Sequence, residues 1–92
     1  MQLILYSKPG CHLCEGLQEK LEQIQNLSFD LEVRDITTRE DWFSAYEYEV
    51  PVLYLSNHRG AEEEESEKPL PRPSPRASVQ QLEQMLRKYL AN

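Results

Sequence analysis

The chain has 92 residues but only two cysteines, and these stand two residues apart, at 11 and 14. So few, so close, cannot staple a small secreted scaffold; in a reducing compartment such a pair is more often catalytic or metal-binding. Histidine is as scarce, with His12 and His58 alone. Nothing in the spacing of these four residues resembles a zinc finger, so no metal is expected within one chain. Positive charge is in deficit, ten Lys and Arg against sixteen Asp and Glu for a formal charge of −6. That balance disfavours nucleic acid and anionic membrane surfaces as partners. Met1 leads straight into Leu3-Ile4-Leu5, with no basic segment and no apolar run of the length that secretion or membrane spanning needs. A cytoplasmic protein is expected. Repeats are absent, and 92 residues allow one domain with one modest core and no second catalytic domain.

What is present suffices to fold, since 39% of residues are hydrophobic and 28% charged. Leu3, Ile4, Leu5 and Tyr6 are apolar on both sides of any strand they form, which predicts a central strand. Ser7-Lys8-Pro9-Gly10 breaks that run. From there Leu13, Leu17, Leu21 and Ile24 recur at helical spacing, predicting one buried face of a helix that ends near Asn26. Phe29, Leu31 and Val33 alternate with Asp30, Glu32 and Arg34, the pattern of an edge strand with one wet face. Thr37-Thr38 before Glu40-Asp41 resembles a capping box, and Trp42 and Tyr46 share one side of the short helix that follows. Val50-Pro51 ends it, because the residue before a proline is pushed out of the helical region. Val52-Leu53-Tyr54-Leu55 reads as a second strand covered on both faces.

Residues 57–75 read as an acidic and proline-rich loop, with five glutamates from Glu62 to Glu67 and prolines at 69, 71, 73 and 75. Prolines at alternate positions remove ladder donors and leave at most a truncated edge strand around Leu70. Ser78-Val79-Gln80-Gln81 is a capping box, and Val79, Leu82, Met85, Leu86 and Tyr89 or Leu90 give the closing helix its apolar face. The order is therefore strand, helix, strand, helix, strand, short edge strand, helix.

Disulfide exchange needs an attacking thiolate, a second thiol to resolve the mixed disulfide, and exposure of the attacker. A pair at the start of a helix meets these needs. Cys11 falls where unpaired amides and the helix dipole favour negative charge, and Cys14, three residues before Leu17, borders the apolar face. Cys11 is thus the expected nucleophile and Cys14 the resolving thiol. Lys8, and His12 when protonated, would add positive charge near the Cys11 thiolate.

The segment Tyr6-Ser7-Lys8-Pro9-Gly10-Cys11-His12-Leu13-Cys14 resembles the active-site segment of the glutaredoxins, and the match extends to Val50-Pro51. It is most similar to small bacterial glutaredoxin-like proteins with a Pro-Gly-Cys-His-Leu-Cys motif and a Val-Pro-Val-Leu strand. The likeness covers residues 1–56, and the closing helix by pattern alone. It implies a thioredoxin-like α/β fold, three layers α/β/α around a mixed sheet of three to four strands, and a monomer that reduces protein disulfides or reacts with a low-molecular-weight thiol. By the same resemblance Pro51 would be a cis proline facing the cysteines, and the backbone of Val50 would pair with an extended peptide or glutathione. Tyr6 and Lys8 would flank the substrate, Lys8 holding a glutathione carboxylate. The residues expected around the substrate are Tyr6, Lys8, His12, Val50 and Pro51. No bound cofactor is implied, but glutathione is implied as co-substrate.

Two departures accompany the likeness. Glutaredoxins bind the glutamyl end of glutathione with Gly-Gly followed by Cys or Ser and Asp, where this chain has Ser74-Pro75-Arg76-Ala77-Ser78. The tryptophan that precedes the motif in thioredoxin is also missing. Three function classes remain: a dithiol oxidoreductase, a non-enzymatic binding module using the Val50-Pro51 edge or the acidic loop, and an iron–sulfur carrier that shares Cys11 between two chains. Trp42, Phe43, Tyr46 and Tyr48 are expected in packing rather than in docking.

Overall fold

Strand β1, Gln2–Ser7, runs through the middle of the protein with Leu3, Ile4 and Leu5 wholly buried and Tyr6 nearly so. The computed structural model describes residues 2–57 and 66–90. Helix α1, His12–Glu22, follows β1 and leads to β2, Asp30–Asp35, which pairs parallel with β1. A 3-10 turn, Ile36–Thr38, and helix α2, Glu40–Tyr46, then bring the chain to β3, Val52–Asn57, antiparallel to β1 on its other side. Strand β4, Ser66–Pro69, pairs antiparallel with β3, and helix α3, Val79–Leu90, closes the fold. The sheet order β2-β1-β3-β4 puts the two strands that are apolar on both faces inside and the other two at the edges.

Period-2 geometry divides the core in two. Leu3 and Leu5 face one side, opposite Leu55 and Leu53, and meet Leu21 and Ile24 from α1 and its exit, and Leu82 and Leu86 from α3. Ile4 and Tyr6 face the other, with Ile36, Trp42, Phe43 and Tyr46 laid over them. A mixed sheet between two helical layers is the thioredoxin-like architecture, and the proline-rich segment supplies its fourth strand. Leu70, just past β4, donates its amide to the Leu53 carbonyl at 2.9 Å and is buried.

Several local expectations need correction. Helix α1 stops at Glu22, not Asn26; Gln23 and Ile24 continue with bonds to the carbonyls of Lys20 and Leu21, so a tighter turn buries Ile24 outside the helix. Leu13 does not share the buried face but is 50% exposed, while Cys14 takes that place with none of its surface accessible. Thr37 and Thr38 do not cap α2. They lie in the 3-10 turn, whose cap is Asp35: the Thr37 amide and hydroxyl both donate to its carboxylate, at 2.9 and 2.6 Å. Those bonds hold the Asp35 carboxyl below its ordinary pKa. The Ser78 box forms as expected, Gln81 N–H donating to Ser78 Oγ at 3.1 Å and Ser78 N–H to Gln81 Oε1 at 2.9 Å.

The wet face of β2 is only partly wet. Arg34 stands beside Tyr6 in the parallel register, donates to its hydroxyl at 2.8 Å, pairs with Glu32, and lies 5.4 Å from the centre of the Trp42 ring. Burial works against the guanidinium's charge, but the hydrogen bonds to Glu32 and Tyr6 outweigh it and raise its pKa. Val33, on the face expected to be dry, is 41% exposed. The acidic run Glu62–Glu65 and His58 lie outside the described residues.

Leu21 and Leu13 share a sequence stripe but not an environment, so truncation separates them. Leu21→Ala should cost about 2–5 kcal/mol in denaturant unfolding, and Leu13→Ala no more than about 0.5 kcal/mol. Equal losses would contradict the placement of α1.

Candidate functional site

The turn after β1 aims the cysteine pair. Lys8 accepts a hydrogen bond at its carbonyl from the Cys11 amide, 3.2 Å away, with Pro9 and Gly10 between them. Gly10 has φ +82°, so proline and glycine occupy the two positions where a type II turn favours them. A side chain at Gly10 would be strained in that left-handed backbone. The turn delivers Cys11 in an extended conformation, φ −88° and ψ 101°, as the N-cap of α1. Its carbonyl accepts the first helical bond from Glu15 at 3.1 Å.

Cysteine here takes the place of the usual hydroxyl or carboxylate cap. The Cys14 amide points at Cys11 Sγ from 3.2 Å, so an orphan donor of the first turn faces the sulfur. A disulfide joins Cys11 to Cys14, with Cα atoms 5.2 Å apart. Cys11 is half-buried and Cys14 has no accessible surface. The two sulfurs thus differ in access while sharing one helical turn, and the outer one has the amide of the inner one aimed at it.

The antiparallel register brings Val50-Pro51 to the same end of the sheet. Tyr6 pairs with Val52, so Pro51 stands level with the exit of β1. The Val50–Pro51 peptide bond is cis. Pro51, His12, Leu13 and Leu17 line one cleft of about 220 Å³, whose far wall is the segment Arg72-Pro73-Ser74-Pro75. Lys20 fastens that wall to α1 by donating to the carbonyls of Pro75, at 2.9 Å, and Ala77.

The other expected site residues divide. His12 is fully outside, its side chain 95% exposed and 3.6 Å from Glu15. Lys8 directs Nζ away along α2, donating to the Glu47 carbonyl at 3.4 Å, a cation at a helix C-terminus. Val50 is already engaged: its amide donates to the Tyr46 carbonyl at 3.2 Å, and Arg72 Nη2 lies 3.4 Å from its carbonyl oxygen. Tyr6, expected beside the substrate, is buried. It is 3% exposed, its ring 4.4 Å from that of Tyr46 and in edge contact with Trp42 and Tyr54, because β1 turns it into the α2 layer. Tyr48, expected in packing, is 90% exposed in the turn before Pro51.

Arg72, Leu13 and Lys20 were not among the expected site residues. Leu13 was masked by its helical spacing from Leu17, and Arg72 lies in the segment that reads in sequence as an acidic and proline-rich loop. Among the described residues no group of three or more His, Cys, Asp or Glu side chains could hold a metal ion, and no helix is long and apolar enough to cross a membrane.

A mixed sheet between helical layers, with a Cys-x-x-Cys pair capping the first helix, defines a thioredoxin-like domain whose cysteines fit a thiol–disulfide role. The chain belongs to the glutaredoxin-like domain family (DUF836), which it matches over residues 2–87. No curated protein and no solved structure matches it.

The difference in access predicts ordered alkylation. After reduction, native protein treated with iodoacetamide should be labelled first and singly at Cys11, and at both cysteines once unfolded, as read by peptide mass analysis. Labelling of Cys14 ahead of Cys11 would contradict the geometry.

Proposed function

We propose that this protein is a dithiol–disulfide oxidoreductase with Cys11 as nucleophile and Cys14 as resolving thiol. The observation that carries the reading is the Cys14 amide 3.2 Å from Cys11 Sγ at the start of α1. When the pair is reduced, that donor and the helix dipole stabilise a thiolate at Cys11. The Cys11 thiolate attacks one sulfur of a substrate disulfide; the substrate S–S bond breaks, a Cys11–substrate bond forms, and the other substrate sulfur leaves as thiolate. Cys14, having lost its proton, then attacks Cys11 Sγ. The Cys11–Cys14 disulfide forms and the second substrate thiolate departs, so two electrons have passed from the pair to the substrate. A low-molecular-weight thiol or a protein dithiol restores the reduced pair. The protein acts as a monomer in a reducing cytoplasm, on protein disulfides.

The family and the cleft beside the cysteines support this reading over the others. At the Val50 edge the amide is bound to Tyr46 and only the carbonyl, which Arg72 approaches at 3.4 Å, could be freed, so a binding module would find one backbone group there and not two.

Cys11→Ser should abolish disulfide reduction. Cys14→Ser should accumulate a mixed disulfide with substrate, visible as a mass increase under mild oxidant. Titration of the reduced protein should place the Cys11 thiol below the free-cysteine value of about 8.5. Turnover that survives Cys11→Ser would defeat the assignment.

A further inference from the structure

The cleft beside the cysteine pair differs in charge from the chain that forms it. Acidic residues outnumber basic ones sixteen to ten, yet among the described residues the lining holds Lys20 and Arg72 and no carboxylate. Glu15 stands at the rim, where it faces His12 from 3.6 Å. Lys20 is committed to the carbonyls of Pro75 and Ala77. Arg72 is the cation left to meet a ligand: it is exposed, and its 3.4 Å approach to the Val50 carbonyl is long enough to be displaced. Between the charges the surface is apolar, made by Leu13, Leu17, Pro51, Pro73 and Pro75. Leu13 is 50% exposed there, on a helix whose other leucines are at least partly covered.

Size and hydrogen bonding narrow the occupant. Sites for whole drug-sized ligands run from about 300 to 1,000 Å³, so a cleft of about 220 Å³ seats one side chain and leaves the rest of a ligand outside. At the start of α3 the Ser78 amide is spent on Gln81 Oε1, and the Ser78 hydroxyl oxygen accepts from the Gln81 amide, so that backbone amide is not open to an anion. A small polar tripeptide such as glutathione, with no apolar side chain, leaves the leucine and proline surface unused. An extended segment of a protein uses all of it: an apolar side chain fills the cleft, a backbone amide takes the Val50 carbonyl, and the Arg72 guanidinium this releases meets a neighbouring carboxylate.

We propose that this cleft recognises the segment flanking a disulfide in a protein substrate, seating one apolar side chain among Leu13, Leu17 and Pro51 and pairing an adjacent carboxylate with Arg72. The inference rests on the dithiol reading above and names its substrate class, a protein disulfide next to an apolar residue followed by an acidic one. Arg72 is its specificity-determining residue.

The test is single-turnover reduction by the prereduced full-length chain, with no other reductant present. The probes are synthetic peptides with one internal disulfide, followed by Leu-Glu, Leu-Lys or Ser-Glu, together with glutathione disulfide. The Leu-Glu peptide should react about tenfold faster than the Leu-Lys peptide and about tenfold faster than the Ser-Glu peptide, and glutathione disulfide should be slower than Leu-Glu. Arg72→Glu should bring the Leu-Glu to Leu-Lys rate ratio below one, while Arg72→Lys keeps it above one. Each ratio is internal to one variant, so partial misfolding does not alter it. Gly16→Met, at a position where an added Cβ meets nothing within 4 Å, should fill the cleft and erase the advantage of Leu-Glu over Ser-Glu. Equal rates for the three peptides, or glutathione disulfide as the fastest probe, would overturn the cleft assignment while leaving the dithiol reading intact. No reduction of any probe would overturn both.

Discussion

Strand β1 is covered on both faces, and the site depends on that constraint. Leu3 and Leu5 hold it to the layer of α1 and α3, while Ile4 and Tyr6 hold it to the layer of α2. A strand clamped from both sides fixes where its last residue ends. From Ser7 the chain has three residues, Lys8, Pro9 and Gly10, in which to reverse and begin a helix, and the left-handed Gly10 makes that reversal possible. Cys11 is the N-cap because of where β1 stops, and Cys14 is buried because one helical turn later the chain has reached the core. The chemical asymmetry of two identical side chains is therefore a consequence of packing.

The same clamp positions the opposite wall. Tyr6 is paired with Val52, so the register of β3 on β1 places Pro51 beside the cysteine turn. The third wall is held less directly. Lys20 ties the carbonyls of Pro75 and Ala77 to α1, and Leu70 anchors the segment to β3 through the Leu53 carbonyl. A proline-rich stretch cannot supply ladder bonds of its own at those positions, and these external bonds take their place.

Much of this could be read from residues alone, for identifiable reasons. Double-faced apolar runs marked β1 and β3 as inner strands, because nothing else buries both sides of a period-2 segment. The spacing of Cys11 and Cys14 after Pro-Gly placed them at a helix start. The failures also have physical causes. Leu13 fits the stripe of Leu17 and Leu21, but a stripe wider than the surface it covers leaves one member outside, here over the cleft. Arg34 alternates like a solvent-facing residue, yet Tyr6 and Trp42 offer its guanidinium a hydroxyl and a ring face, which periodicity does not register. Tyr6 matched a motif whose neighbours bind substrate, but strand alternation turned its ring into the core. The cleft wall at Arg72 depends on long-range contacts from Lys20 and Val50, and no local pattern announces those.

The central claim is that the Cys11–Cys14 pair is a working redox couple and not a structural bond. Equilibration of the protein against dithiothreitol buffers of graded potential, followed by acid quench and thiol alkylation, measures it directly. The account predicts one reversible two-electron transition within the range spanned by thiol–disulfide oxidoreductases, about −120 to −270 mV. A midpoint below about −300 mV, where structural disulfides lie, or a failure of the pair to cycle, would contradict it.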